Sequence, residues 1–222
     1  MFGKRSWVAK KKTPDIVKTY KKYREVSREL NDNIVNSYMD EDVIDGVSKL
    51  LGIREGNTLV LQSDDEGDIL MDFSIHDYQV DNKNAIKMYQ ETTGGKNDLE
   101  KTLLNAYLAS YTSLFKINSV LPSESALILT DSLNNKDEIK LIDIGFSQSA
   151  KPDYLLFTRV VQLPELNMTS GMAFLFPGES ERYLLKQYKI LSKKVKSNNE
   201  AIKRFVAFFK LNRTDGAEVM FV

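Results

Sequence analysis

The stretch KPDYLLFTRVVQLPELNMTSGMAFLFP, residues 151–177, decides what kind of protein this is. Apolar, aromatic and β-branched residues crowd 154–162 and 168–176, and the interval between them is short and polar. Two such runs read as paired strands of one β-module, closed or nearly so. Gly171, inside the second run, reads as a bulge or a point of close packing. Upstream the same period of two begins at Ala126 and predicts further strands at 126–131 and 138–146. Four strands joined by short polar loops make an antiparallel meander that can curl into a small barrel.

The period is different before this module. Ile16, Tyr20, Tyr23, Val26, Leu30, Ile34 and Tyr38 recur at steps of three and four, which predicts a helix opened by Pro14 and Asp15. Asn31-Asp32-Asn33 is expected to interrupt it, because short polar side chains compete with the helical backbone. A second helix follows Asp40-Glu41-Asp42 and stops at Gly52. Residues 58–62 and 69–76 then read as a half-buried hairpin, with Met71, Phe73 and Ile75 alternating with Asp72, Ser74 and His76. A short helix near 84–91 leads to a longer one over 99–117, apolar around most of its surface. After the strands come two closing helices, 180–196 and 199–211, and the apolar tail AEVMFV.

The fold class is therefore α+β: N-terminal helices, a β-hairpin and central helix, then a meander or small barrel closed by two C-terminal helices. No repeat or low-complexity linker divides residues 1–222, so a single composite domain is expected. A helical subregion would cover 14–117 and a β-rich one 118–222.

Composition narrows the function classes. The 222 residues are 42% hydrophobic and 28% charged, ordinary for a folded domain. There is no cysteine, which excludes disulfides, zinc–thiolate sites and thiol nucleophiles. No apolar run is long enough to span a membrane. The basic opening MFGKRSWVAKKKTPD lacks the apolar core of a secretory signal, so a cytoplasmic protein is expected. The two N-x-T sequons at Asn167 and Asn212 then carry no weight. Net charge is zero but segregated: residues 1–28 and 182–213 are strongly basic, and 40–100 strongly acidic. Such blocks meet one another within the fold or attract a charged partner.

One constellation has catalytic form. In TDSLNNKDEIKLID (130–143), Asp131 is followed by Glu138-x-Lys140, the spacing of a metal-dependent phosphodiesterase. A hairpin centred on Asn134-Asn135 pairs Asp131 with Glu138 and puts both on one face with Lys140, where two carboxylates could share a divalent ion. A charged, solvated turn explains the same residues, and the strands that follow take the place a nuclease core gives to a helix. Asp72 with His76, the sole histidine, is a second possible metal pair. The acidic turn 63–68 lacks calcium-loop spacing, and Thr92-Thr93-Gly94-Gly95-Lys96-Asn97 lacks a phosphate-loop pattern and reads as a capping loop. No cofactor motif is present.

The strongest periodic signal is basic. Arg182, Lys186, Lys189, Lys193 and Lys196 recur at steps of four, three, four and three. At about 100° per residue they fall in a sector of about 80°, opposite Leu184, Tyr188, Leu191 and Val195. The sequence thus reads as a non-enzymatic binding or adaptor protein contacting its partner through this stripe. Protein is the expected partner and nucleic acid the alternative, with the Asp131/Glu138/Lys140 phosphodiesterase as a third reading. The tail, too apolar to hang free, would dock on its own sheet or on a second subunit.

Overall fold

The computed structural model describes residues 15–134 and 136–217. The chain opens with α1 (Ile16–Tyr38) and α2 (Glu41–Leu51), capped by the side chains of Asp15 and Asp40. Gly52, at φ +74°, ends α2 in the left-handed conformation that the missing Cβ allows. Helix α1 is unbroken at Asn31-Asp32-Asn33, contrary to expectation. Leu30 and Ile34 are fully buried on either side, and Asn33 bonds back to the Glu29 carbonyl, so packing overrides the weak local preference.

The hairpin expected over 58–76 does not exist. Only Arg54–Glu55 (β1) and Thr58–Leu59 (β2) pair, and Asp65–His76 is a helix, α3. Among its buried positions Glu66, Ile69, Leu70, Phe73 and His76 follow a helical repeat that the alternation at 71–76 conceals, and Ser74 and Ile75 are buried as well. Asp65, Glu66 and Asp68 also lie in its first turn, where the helix dipole favours negative charge. Helices α4 (Ala85–Thr92) and α5 (Asp98–Ala109) follow. The helix expected over 99–117 stops at Ala109, and Tyr111–Leu121 is instead the longest strand, β3. Its apolar residues serve both faces of a buried strand, a pattern easily taken for an all-round apolar helix.

The remaining strands are β4 (Ala126–Asp131), β5 (Lys136–Ile142), β6 (Leu155–Gln162) and β7 (Asn167–Phe176), close to the expected spans. Strand β5 ends at Ile142, because Asp143 caps a short helix, α6 (Phe146–Ser149), by accepting from the Phe146 N–H. Hydrogen-bonded neighbours run β5-β4-β3-β6-β7, so β6 pairs with β3 instead of continuing the meander past β5. The two ends of this curled sheet touch through one parallel pair, Leu141 with Asn167. The result is a mixed five-stranded sheet that nearly closes on itself.

Two layers of side chains follow from the curl. Phe115, Ile117, Leu127, Leu129, Leu141, Leu156 and Val160 fill the concave side. On the convex side Phe157 and Phe174 meet Phe205, Phe208 and Phe209 of α8 (Glu200–Asp215), with Phe157 stacked 4.3 Å from Phe208. Each buried phenyl contributes ~1.5–3 kcal/mol. Covered on both faces, β6 reads as a continuous apolar run. Helix α7 (Glu181–Leu191) is shorter than expected: Ser192–Lys194 is a tight turn and Val195 is extended, while α8 runs on to Asp215. The tail from Glu218 to Val222 lies outside the described residues.

Candidate functional site

The presumptive catalytic hairpin separates into unrelated parts. Asp131 pairs with Lys136 across the strands, not with Glu138, and a register shift lies between Leu129 and Asp131. Asp131 is 1% exposed and faces the concave interior. Its carboxylate accepts from Ser113 Oγ at 2.6 Å, from the Leu133 and Asn134 N–H groups at 3.0 Å, and from Asn134 Nδ2 at 2.9 Å. It organises the turn, whose other central residue, Asn135, lies outside the described residues. Glu138 and Lys140 are exposed on the outer face, bonded to Asn118 and Glu124 respectively. The three side chains do not converge.

Asp72 and His76 do stand together, on one buried face of α3 instead of the polar face of a strand. They form part of a polar layer between the helices and the sheet. Arg159, 2% exposed, reaches from β6 and donates from Nε to Asp72 Oδ2 at 3.0 Å and from a terminal nitrogen to Asp77 Oδ2. Burial alone would raise the Asp72 carboxyl, but the Arg159 guanidinium, with smaller contributions from His76 and a Ser170 hydrogen bond, outweighs it and holds the group below the ordinary range. Asp77 goes the other way, pushed up by burial that its bond to Arg159 does not offset. His76 is neutral: burial, reinforced by Arg159, lowers its pKa to about 3. Its Nε2 is 3.9 Å from Asp72 Oδ1, its Nδ1 has no partner among the described residues, and its ring stands edge-on to Tyr107 at 4.8 Å.

The layer continues toward the surface at α1. Tyr107 shares a hydrogen bond with Ser27, and Arg24 donates to Tyr20 Oη at 2.9 Å and Thr169 Oγ1 at 2.8 Å, with Asp143 Oδ2 at 3.4 Å. Strand β7 is bulged here. Thr158 pairs with Ala173 and Val160 with Thr169, so Ser170, Gly171 and Met172 together oppose Arg159. Gly171 adopts φ +121°, a conformation open to glycine, as its place in the strand suggested. The layer's carboxylates and guanidinium groups bond one another, which fixes α1, α3 and the sheet together. A histidine so hard to protonate is a poor general base near neutrality. Among the described residues no three His, Asp or Glu side chains are placed to hold a metal ion.

Sequence reasoning missed Arg159, Arg24 and Asp143. Arg159 carried a signal, a lone cation within LLFTRVVQ. A charge in a strand buried on both faces needs buried partners. Arg24 and Asp143 carried none.

The acidic turn at 63–68 also has a structural role. Glu66 is buried and takes two bonds of 2.7 Å from Arg213, so the acidic middle of the chain meets the basic C-terminal block there. The loop at 92–97 ends in Asn97, whose side chain caps α5.

The five stripe cations are all exposed, and none of their side chains has an ion pair or hydrogen bond among the described residues. The stripe is shorter than the spacing implied. Arg182, Lys186 and Lys189 form one row on α7, lining a depression of about 470 Å³ with Glu181 and Leu185. Lys193 lies in the turn after the helix, and Lys196 lines a separate depression with Tyr78, Asp81 and Asn198. Tyr183 and Ile190, 46% and 42% exposed, lie along α7 next to the row. They are two turns apart, so they share a face.

Fold and site together define an α+β protein: a nearly closed five-stranded sheet wrapped by helices, with a basic helical face turned outward. The chain belongs to a family of unknown function, DUF7986, whose model matches residues 15–222. No curated protein and no solved structure matches it. No helix among the described residues is long and apolar enough to cross a membrane.

Proposed function

We propose that this is a non-enzymatic binding protein that takes an acidic macromolecular partner, in first place another protein, on the exposed face of α7. The observation that carries this reading is the row Arg182, Lys186, Lys189, unpaired among the described residues and flanked by exposed Tyr183 and Ile190. Three like charges on one helical face repel one another and gain from an external anion. An aliphatic anchor beside cations suits an acidic segment with apolar side chains better than it suits bases, which stack on aromatic rings. The cysteine-free composition fits a cytoplasmic site of action. Nucleic acid is the second reading, supported by Tyr183 beside the cations.

The test is fluorescence anisotropy of the full chain at physiological salt, with two probes: a labelled Glu/Leu amphipathic helical peptide and a labelled random single-stranded 20-mer DNA. The expected result is peptide binding weakened about tenfold both by Ile190→Ser and by the triple change Arg182/Lys186/Lys189→Gln. Micromolar DNA binding, insensitive to Ile190→Ser, would overturn the first reading for the second. Its log–log salt slope would fall by about two units in the triple variant, at ~0.7 per phosphate.

A further inference from the structure

Residues 59–61 form a strap of apolar side chains on a fixed backbone. The Val60 N–H donates to the Ile53 carbonyl, and the Val60 carbonyl accepts from Arg213, each at 2.8 Å. The Gln62 N–H donates to Glu66 Oε2 at 2.7 Å. Yet Leu59, Val60 and Leu61 are exposed, and α3, which follows at once, adds exposed Met71. Between the strap and Met71 stand Asp64, Asp65 and Asp68, exposed and with no ion pair among the described residues. No Lys or Arg occurs between Glu55 and Asn82. Apolar surface already ordered, and rimmed by one sign of charge, suits docking because little freedom is lost on contact.

We propose that this apolar face docks on α7 of a second copy of the chain. The pairing rests on the reading of α7 as a face for an acidic segment with apolar side chains, and the chain itself carries such a segment. Charge and spacing both match. No Asp or Glu occurs from Arg182 to Asn199, so each face carries one sign. Asp64 has helical backbone, φ −63° and ψ −32°, and stands one turn before Asp68. The two are about 6 Å apart along the axis, and so are Arg182 and Lys186. Helices laid side by side therefore set two carboxylates against two cations. Apolar residues accompany the charges on both faces, Leu61 and Met71 on one, Tyr183 and Ile190 on the other. A net charge of zero adds no long-range repulsion between copies. Because the two faces differ, the contact is heterologous. A docked pair keeps one free face of each kind, and growth continues to a ring or a filament.

The experiment is sedimentation velocity of the full chain over a hundredfold range of concentration, at low and at high salt. Average mass should rise with concentration, and salt should oppose the rise by screening the charges. Two variants each remove one face: Asp64→Asn with Asp68→Asn and Met71→Ser, and Arg182→Gln with Lys186→Gln and Lys189→Gln. Each alone should associate at least tenfold more weakly than the parent. Mixed in equal amounts they should form dimers and nothing larger, since each supplies the face the other lacks. That pairing also shows that both variants are folded. A parent that stays monomeric overturns the proposal. Association that either variant leaves unchanged overturns it too, as does a mixture that does not pair. A monomeric chain that still binds the Glu/Leu peptide sinks only the self-association. A chain that neither associates nor binds that peptide sinks the reading of α7 as well.

Discussion

Arg159 and Asp72 are 87 residues apart in sequence and 3.0 Å apart in space, both almost wholly buried. Their bond ties the centre of β6 to α3, and Asp77 closes the other side of the guanidinium. A buried charge pair of this kind is costly to leave half-made, because the surviving partner keeps its desolvation penalty.

Arg159→Met should therefore cost ~3–5 kcal/mol, far more than a surface change. The triple variant Arg159→Met, Asp72→Leu, Asp77→Leu should recover a large part of that loss, since no buried charge is left alone. Urea denaturation of the two variants measures both values. A single variant as stable as the parent would mean the cluster is solvated.

Acid should destabilise the fold through His76. Its folded pKa, about 3, lies below the ordinary 6.5, so the unfolded chain binds more protons between those values. Stability is then full above pH 6.5 and falls as pH drops, by up to ~1.4 kcal/mol per pH unit. Asp77, with its raised pKa, acts in the opposite sense. The slope between pH 6.5 and 5 carries the histidine's contribution. It should flatten in His76→Gln, as read from denaturation midpoints across that window.

Asp131 and its two sequence neighbours in the catalytic-looking motif should part company on mutation. Asp131→Ala leaves the Leu133 and Asn134 N–H groups and the Ser113 hydroxyl without their acceptor, a loss of ~1–3 kcal/mol. Glu138→Gln and Lys140→Gln should each change stability by less than ~1 kcal/mol. Magnesium or manganese should leave the melting temperature of all four proteins unchanged. A metal-induced rise confined to the parent would restore the hydrolytic reading.

Gly46 offers a test of packing against propensity. In an α-helix Ala is favoured over Gly by ~1 kcal/mol. Yet a Cβ at Gly46 would sit 2.0 Å from Tyr78 Oη and 2.8 Å from Cζ, so the Tyr78 ring must move. Gly46→Ala should lower the melting temperature in spite of its helical preference. Replacing Tyr78 by Leu in the same chain should reverse the sign.

The elements most legible in the sequence were those whose pattern had one meaning. The stripe from Ile16 to Tyr38, the cap at Asp40, the stop at Gly52 and the strand from Ala126 to Asp131 each follow from local chemistry and came out close to expectation. The α+β class followed from them. Residues 69–76 and 111–121 were misread because a short apolar run satisfies two periods at once, and only the neighbours it packs on choose between them. Tertiary structure also decided that β6 turns back to pair with β3, a matter of which edges meet and not of any residue's preference. The sites divide in the same way. The basic row on α7 was readable because exposure needs no partner, though its end at Leu191 was not. The layer around Arg159 joins residues from α1, α3, α5, β6 and β7, and only folding brings those carboxylates to the guanidinium. A buried charge declares itself in the sequence, but its partners are fixed by geometry alone.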